Sequence, residues 1–89
     1  MTKKTKQNLL DLGMKKVCYR EELYEKEFKV KSIGKISVRV EISAMNNKPI
    51  IKIFIPKPAN TDDSVLIEKH PYSYKKIEKI IANLNSYQK

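Results

Sequence analysis

Residues 35–55, Lys-Ile-Ser-Val-Arg-Val-Glu-Ile-Ser-Ala-Met-Asn-Asn-Lys-Pro-Ile-Ile-Lys-Ile-Phe-Ile, decide the fold class. Ile36, Val38, Val40 and Ile42 alternate with Lys35, Ser37, Arg39 and Glu41, the two-residue period of a half-buried strand. After a short break Ile51, Ile53 and Ile55 alternate with Ile50, Lys52 and Phe54 in the same way. Between the runs Asn46-Asn47 suits a two-residue hairpin turn, because asparagine tolerates the positive φ that such turns require. That turn predicts Ile42 opposite Ile51, Val40 opposite Ile53 and Val38 opposite Ile55, which puts all six apolar side chains on one face.

The same parity argument extends toward the N-terminus. Phe28 and Val30 share the apolar face only if the next loop has three residues, Ser32-Ile33-Gly34. Such a loop pairs Val30 with Ile36 and Phe28 with Val38. Beyond the meander, Tyr74, Ile77, Ile80, Ile81 and Leu84 recur at three- and four-residue spacing, the apolar stripe of a helix, with Ser73 as its N-cap. Residues 4–12 predict a short helix ended by Gly13. Val65-Leu66-Ile67 suits a fourth, edge strand, and Pro56–Ser64 reads as a linker; residues 14–23 fit a strand or a helix equally. The expectation is an α+β fold: a short N-terminal helix, a three- to four-stranded antiparallel meander, and a C-terminal helix packed on one sheet face.

Eighty-nine residues are enough for one domain and too few for two. A chain of this size buries roughly 60–65% of the surface that its unfolded form exposes, so its core is thin. Cys18 is the only cysteine, which excludes an internal disulfide and, with no Cys/His cluster beside it, a structural zinc site. No apolar run approaches the roughly 20 residues of a membrane span. The basic start resembles the n-region of a signal peptide, but Asp11 and Gly13 interrupt the apolar segment that should follow. A cytoplasmic protein without metal or cofactor is expected.

Charge is the strongest compositional signal: nineteen Lys plus Arg against ten Asp plus Glu, a net charge of +9. Seventeen of the bases are lysine, a hydrated point charge suited to phosphate backbones rather than bidentate base reading. A field of this sign favours polyanions, although the abundance of Lys, Ile and Asn is also what AT-rich coding produces. The predicted outer sheet face carries Lys29, Lys31, Lys35, Arg39, Lys52 and Phe54. Arg39 opposite Phe54 predicts a cation–π contact, and Glu41 opposite Lys52 predicts an ion pair. A basic face with a ring is what a single-strand binder presents, since bases stack on rings while lysines follow phosphates.

Lys75, Lys76 and Lys79 form a second basic patch. With the helix–three strands–helix order, the stretch Ser73-Tyr-Lys-Lys-Ile-Glu-Lys79 resembles the double-stranded-RNA-binding domain, whose last helix opens on a Lys-Lys-x-x-Lys run. The resemblance implies phosphate contacts from these three lysines. It covers about seven residues plus a strand order. The tight Ser32–Gly34 turn, the long 56–72 connection and the lack of alanine-rich packing in the last helix depart from that family.

Catalytic patterns are sparse. Glu27-Phe28-Lys29 preceded by Asp11 echoes the Asp and Glu-x-Lys set of some metal-dependent nucleases, but Asp11 falls in a helix. His70 is the only histidine, and Gly13 and Gly34 are the only glycines, so neither a His-based metal or nucleophile set nor a phosphate-cradling loop is present. The functional expectation is a non-enzymatic nucleic-acid-binding or accessory protein, of the kind encoded by low-GC bacteria or their mobile elements. The alternative is an inhibitor or small subunit docking on one larger protein through Phe54, Tyr72 and Tyr74, aromatic residues of the sort found at interfaces.

Overall fold

The computed structural model describes residues 2–17, 22–31, 34–57 and 60–87. Chain order runs α1 (Lys3–Asp11), β1 (Lys15–Lys16), β2 (Tyr24–Val30), β3 (Gly34–Ile42), β4 (Pro49–Lys57), β5 (Asn60–Pro71) and α2 (Tyr74–Tyr87). The strands form one antiparallel meander in chain order, β1-β2-β3-β4-β5. The α+β class with a helix at each end is as expected, but the sheet has five strands rather than three or four. The additional strand is β1, from the ambiguous 14–23 stretch. The edge strand expected at Val65–Ile67 grows to twelve residues and absorbs much of the predicted linker.

Both hairpins keep the predicted faces and shift the predicted register by two residues. Val38 pairs with Ile53, Val40 with Ile51 and Ile42 with Pro49. A two-residue turn at Asn46-Asn47 needs positive φ at both, and only Asn47 has it, at 59°. The chain instead makes a four-residue loop, Ala44–Asn47. The Ser43 N–H donates to the Lys48 carbonyl at 2.8 Å, and the Asn47 N–H donates to the Ser43 carbonyl at 2.9 Å. Side chains complete it: Asn46 Oδ1 accepts from the Lys48 N–H and Ser43 Oγ from the Met45 N–H. In the first hairpin Val30 pairs with Gly34 and Phe28 with Ile36; Ser32 and Ile33 lie outside the described residues. A slip of two leaves every side chain on its own face, so the apolar set still shares one side.

That side is the core. Tyr24, Phe28, Ile36, Val38, Val40, Ile51 and Ile53 from the sheet pack against Leu9 of α1, Met14, and Ile77 and Ile81 of α2. Thr2 caps α1, its hydroxyl accepting from the Thr5 N–H at 3.1 Å. At the other end Gly13 takes φ +87°. Its N–H reaches the Leu10 carbonyl and the Met14 N–H reaches the Leu9 carbonyl, a glycine-terminated helix end whose apolar contact is the buried Leu9–Met14 pair. The Ser73 carbonyl accepts from the Ile77 N–H at 3.0 Å, where α2 begins. Helix α2 lies against β2, so the β4–β5 side is covered less. No described helix is long and apolar enough to cross a membrane.

Candidate nucleic-acid interface

On the face of the sheet away from the helices, the bases are not left alone. Arg39 pairs with Glu25, Lys35 with Glu27 at 3.1 Å and Lys52 with Glu41. Two of these carboxylates come from the acidic block at residues 21–27, because β2 lays alternate glutamates beside the basic residues of β3. Arg39 and Phe54 meet as expected, the guanidinium carbon 4.7 Å from the ring centroid. They meet diagonally: the residue opposite Phe54 is Ser37, and the residue opposite Arg39 is Lys52. Glu41 likewise reaches Lys52 diagonally, since long side chains span two-residue offsets. One face of the Phe54 ring is therefore covered by a guanidinium that Glu25 holds in place, which impedes base stacking there. Lys29 faces Lys35 across the β2–β3 hairpin, and Lys31 is exposed in the turn.

Where the charges cancel, apolar groups remain. Ile50 and Phe54 are half-buried, and Leu66 of β5, opposite Phe54, is exposed. A cleft of about 520 Å³ opens at the end of this face between Glu41, Met45, Ile50, Lys52 and Lys69. The alternation of β4 already puts Ile50 on this face with Lys52 and Phe54, whereas Leu66 and Lys69 could be recognised there only once β5 was assigned as a paired strand.

Helix α2 presents a different surface. At about 100° of rotation per residue, Lys75, Lys76 and Lys79 fall within one arc of roughly 100°, turned away from buried Ile77 and Ile81. All three are exposed, and no ion pair joins any of them to another described residue. They lie on the opposite side of the sheet from Arg39 and Phe54, so the nine predicted nucleic-acid residues divide into two surfaces.

The predicted protein-binding trio is divided too. Tyr72 packs against the core on the helix side, whereas Phe54 lies on the open face. Tyr74 is exposed, and its pKa is raised by the charge of Glu78, then by burial, by a hydrogen bond to Glu78 and by Asp11. The nuclease-like residues are likewise apart. Asp11 is on α1, accepting from Gln7 at 2.8 Å, while Glu27 is on the outer face beside Lys35. Among the described residues, no three His, Cys, Asp or Glu side chains gather as metal ligands would.

No protein-family model, curated protein or solved structure matches the chain. The likeness to the double-stranded-RNA-binding domain thus rests on the lysine spacing of α2, and a five-stranded sheet departs from that family's three strands.

Proposed function

We propose that this is a non-enzymatic nucleic-acid-binding or accessory protein that grips the phosphate backbone through Lys75, Lys76 and Lys79. One observation carries the reading: these three lysines share one exposed side of α2 without a carboxylate partner among the described residues, while the sheet-face bases Arg39, Lys35 and Lys52 each have one. A phosphate contact made by an already paired base exchanges one ion pair for another. A contact made by an unpaired lysine releases a counterion from the nucleic acid at no such loss.

The test is fluorescence anisotropy with a generic duplex oligonucleotide across a salt series. Three phosphate contacts give log K against log[salt] a slope of about −2.7, an affinity loss of roughly forty-fold between 50 and 200 mM salt. Lys75→Ala, Lys76→Ala and Lys79→Ala should each reduce that slope by about 0.9, whatever the sequence. Phe54→Ala should leave single-strand affinity within about twofold, because a ring already covered by Arg39 does not supply the ~1–3 kcal/mol of an open stacking platform. Undetectable binding at ~50 mM salt, or an unchanged slope in the triple variant, overturns the reading.

A second reading has its own support. On the open sheet face, cancelled charges surround Ile50, Phe54 and Leu66, an apolar centre with a polar rim like that of a protein interface. It favours docking on one larger protein. Capture of a partner that survives nuclease treatment and is lost in Phe54→Ala, with the α2 lysines dispensable, selects this reading over the first.

A further inference from the structure

One line of side chains across the open sheet face is out of keeping with the rest. Arg39 of β3 stands directly opposite Lys52 of β4, and Lys52 stands directly opposite Lys69 of β5. Like charges set opposite each other destabilise a sheet. Three cations in one cross-strand line are therefore placed against local preference, as functional residues often are. Carboxylates offset two of them, since Glu25 holds Arg39 and Glu41 holds Lys52. The third, Lys69, is exposed and has no ion-pair partner among the described residues. At its β5 end the line is one negative charge short.

The cleft at that end surrounds the unmatched charge with apolar groups. Lys52 and Lys69 border it together with Ile42, Met45 and Ile50. Its two carboxylates already have cations: Glu41 pairs with Lys52, and Glu22 pairs with Lys6 at 3.1 Å. Met45, in the β3–β4 loop, is 92% exposed, an adaptable apolar side chain of the kind found on surfaces that receive partners. Ile50 is half-buried beside it. The ligand that fits such a place is a single anion with aliphatic neighbours. A nucleic-acid strand fits it poorly. It brings a charge with every nucleotide to a face that also holds Glu25, Glu27 and Glu41, and Arg39 already covers one side of the Phe54 ring.

We propose that the open face receives an apolar segment of a partner protein through one acidic side chain. Its carboxylate bridges Lys52 and Lys69, while its aliphatic neighbours lie against Met45 and Ile50. This rests on the docking of the open face on a larger protein, and not on what α2 binds.

Two capped peptides, acetyl-Leu-Glu-Leu-amide and acetyl-Leu-Gln-Leu-amide, test it when titrated into isotope-labelled protein and followed by amide chemical shifts. The Glu peptide should move the amides of Met45, Ile50, Lys52 and Lys69. It should bind about fivefold more tightly than the Gln peptide, the upper range for an ion pair near the surface. Lys69→Gln should bring the two peptides to equal affinity with the rest of the spectrum unchanged. Lys69→Glu supplies the missing carboxylate from within the line. It should raise the melting temperature by more than Lys31→Glu, an equal change of net charge in the β2–β3 turn. Equal cleft shifts from the Glu and Gln peptides leave the docking reading standing and overturn the carboxylate bridge. A preference for Glu that survives Lys69→Gln overturns it as well. If neither peptide moves these amides at ~10 mM, where millimolar binding would show, the inference falls. The docking reading is then decided separately, by whether Phe54→Ala loses the captured partner. Cleft shifts produced by a single-stranded oligonucleotide and by neither peptide assign the face to nucleic acid instead.

Discussion

The hydroxyl of Tyr72 is buried and, among the described residues, is the one buried side-chain polar atom without a hydrogen-bond partner. Burial first, and the charge of Tyr74 second, raise its pKa above the usual 10.0. Ionisation is therefore harder in the fold than in the unfolded chain. The sign follows: below the unfolded value both states are neutral and nothing is lost, and stability falls as pH climbs through the raised folded value. Tyr72→Phe removes the unpaired hydroxyl and the titration together. It should leave stability at pH 7 unchanged or higher by up to about 1 kcal/mol, and flatten the loss above about pH 10. Denaturant unfolding at neutral and alkaline pH measures both; a loss of more than about 1 kcal/mol at pH 7 means the hydroxyl does have a partner. Gly13 makes the opposite case. Its φ of +87° terminates α1, so Gly13→Ala should cost about 1–2 kcal/mol. The nearest obstacle to a Cβ there, the Lys26 ammonium, is the mobile end of a long side chain.

At the scale of elements, the strand faces carry the stability. Val38→Asp or Ile53→Asp sets an unpaired charge among Phe28, Val40 and Ile51 and should unfold the protein, a loss of several kcal/mol. Ser37→Asp, on the other face opposite Glu27, should cost no more than about 1 kcal/mol, the size of a like-charge cross-strand pair. Thermal melts of the three distinguish a one-sided core from a sheet covered on both faces, where all three would fail alike. This parity is what periodicity makes legible. A slip of two residues conserves it, so the alternation of Ile36–Ile42 with Ile51–Ile55 could not distinguish a two-residue turn from the four-residue loop that Ser43 and Asn46 stabilise. Strand β5 was hidden for a different reason. An edge strand needs little burial, and Asp62-Asp63-Ser64 shows neither alternation nor β-branched residues; the strand is carried past them by the pairing of Ser64 with Pro56 and of Asn60 with Lys57, which a composition that reads as linker does not announce. The outer-face ion pairs were legible only where both partners lay in β3 and β4. Glu25 and Glu27 acquire theirs through a tertiary register that the acidic block does not announce.

At the scale of the molecule, helix cover and sheet extent do not match. The Cα radius of gyration is 13.0 Å, against about 12 Å for a compact chain of this length. The sheet extends past α2 on the β5 side, where Val65 and Ile67 stay partly exposed on the helix face. Charge is distributed as unevenly as the cover: Lys35, Arg39 and Lys52 on the open face are each matched by a carboxylate, whereas Lys75, Lys76 and Lys79 on the helix side have no ion-pair partner among the described residues. Reversing charge on the two sides should therefore act unequally. Lys75→Glu with Lys79→Glu should lower duplex affinity and flatten its salt slope by about 1.8, while Lys35→Glu with Lys52→Glu should leave the slope within about 0.5; equal losses from the two pairs would mean that net charge, rather than the α2 patch, carries the binding.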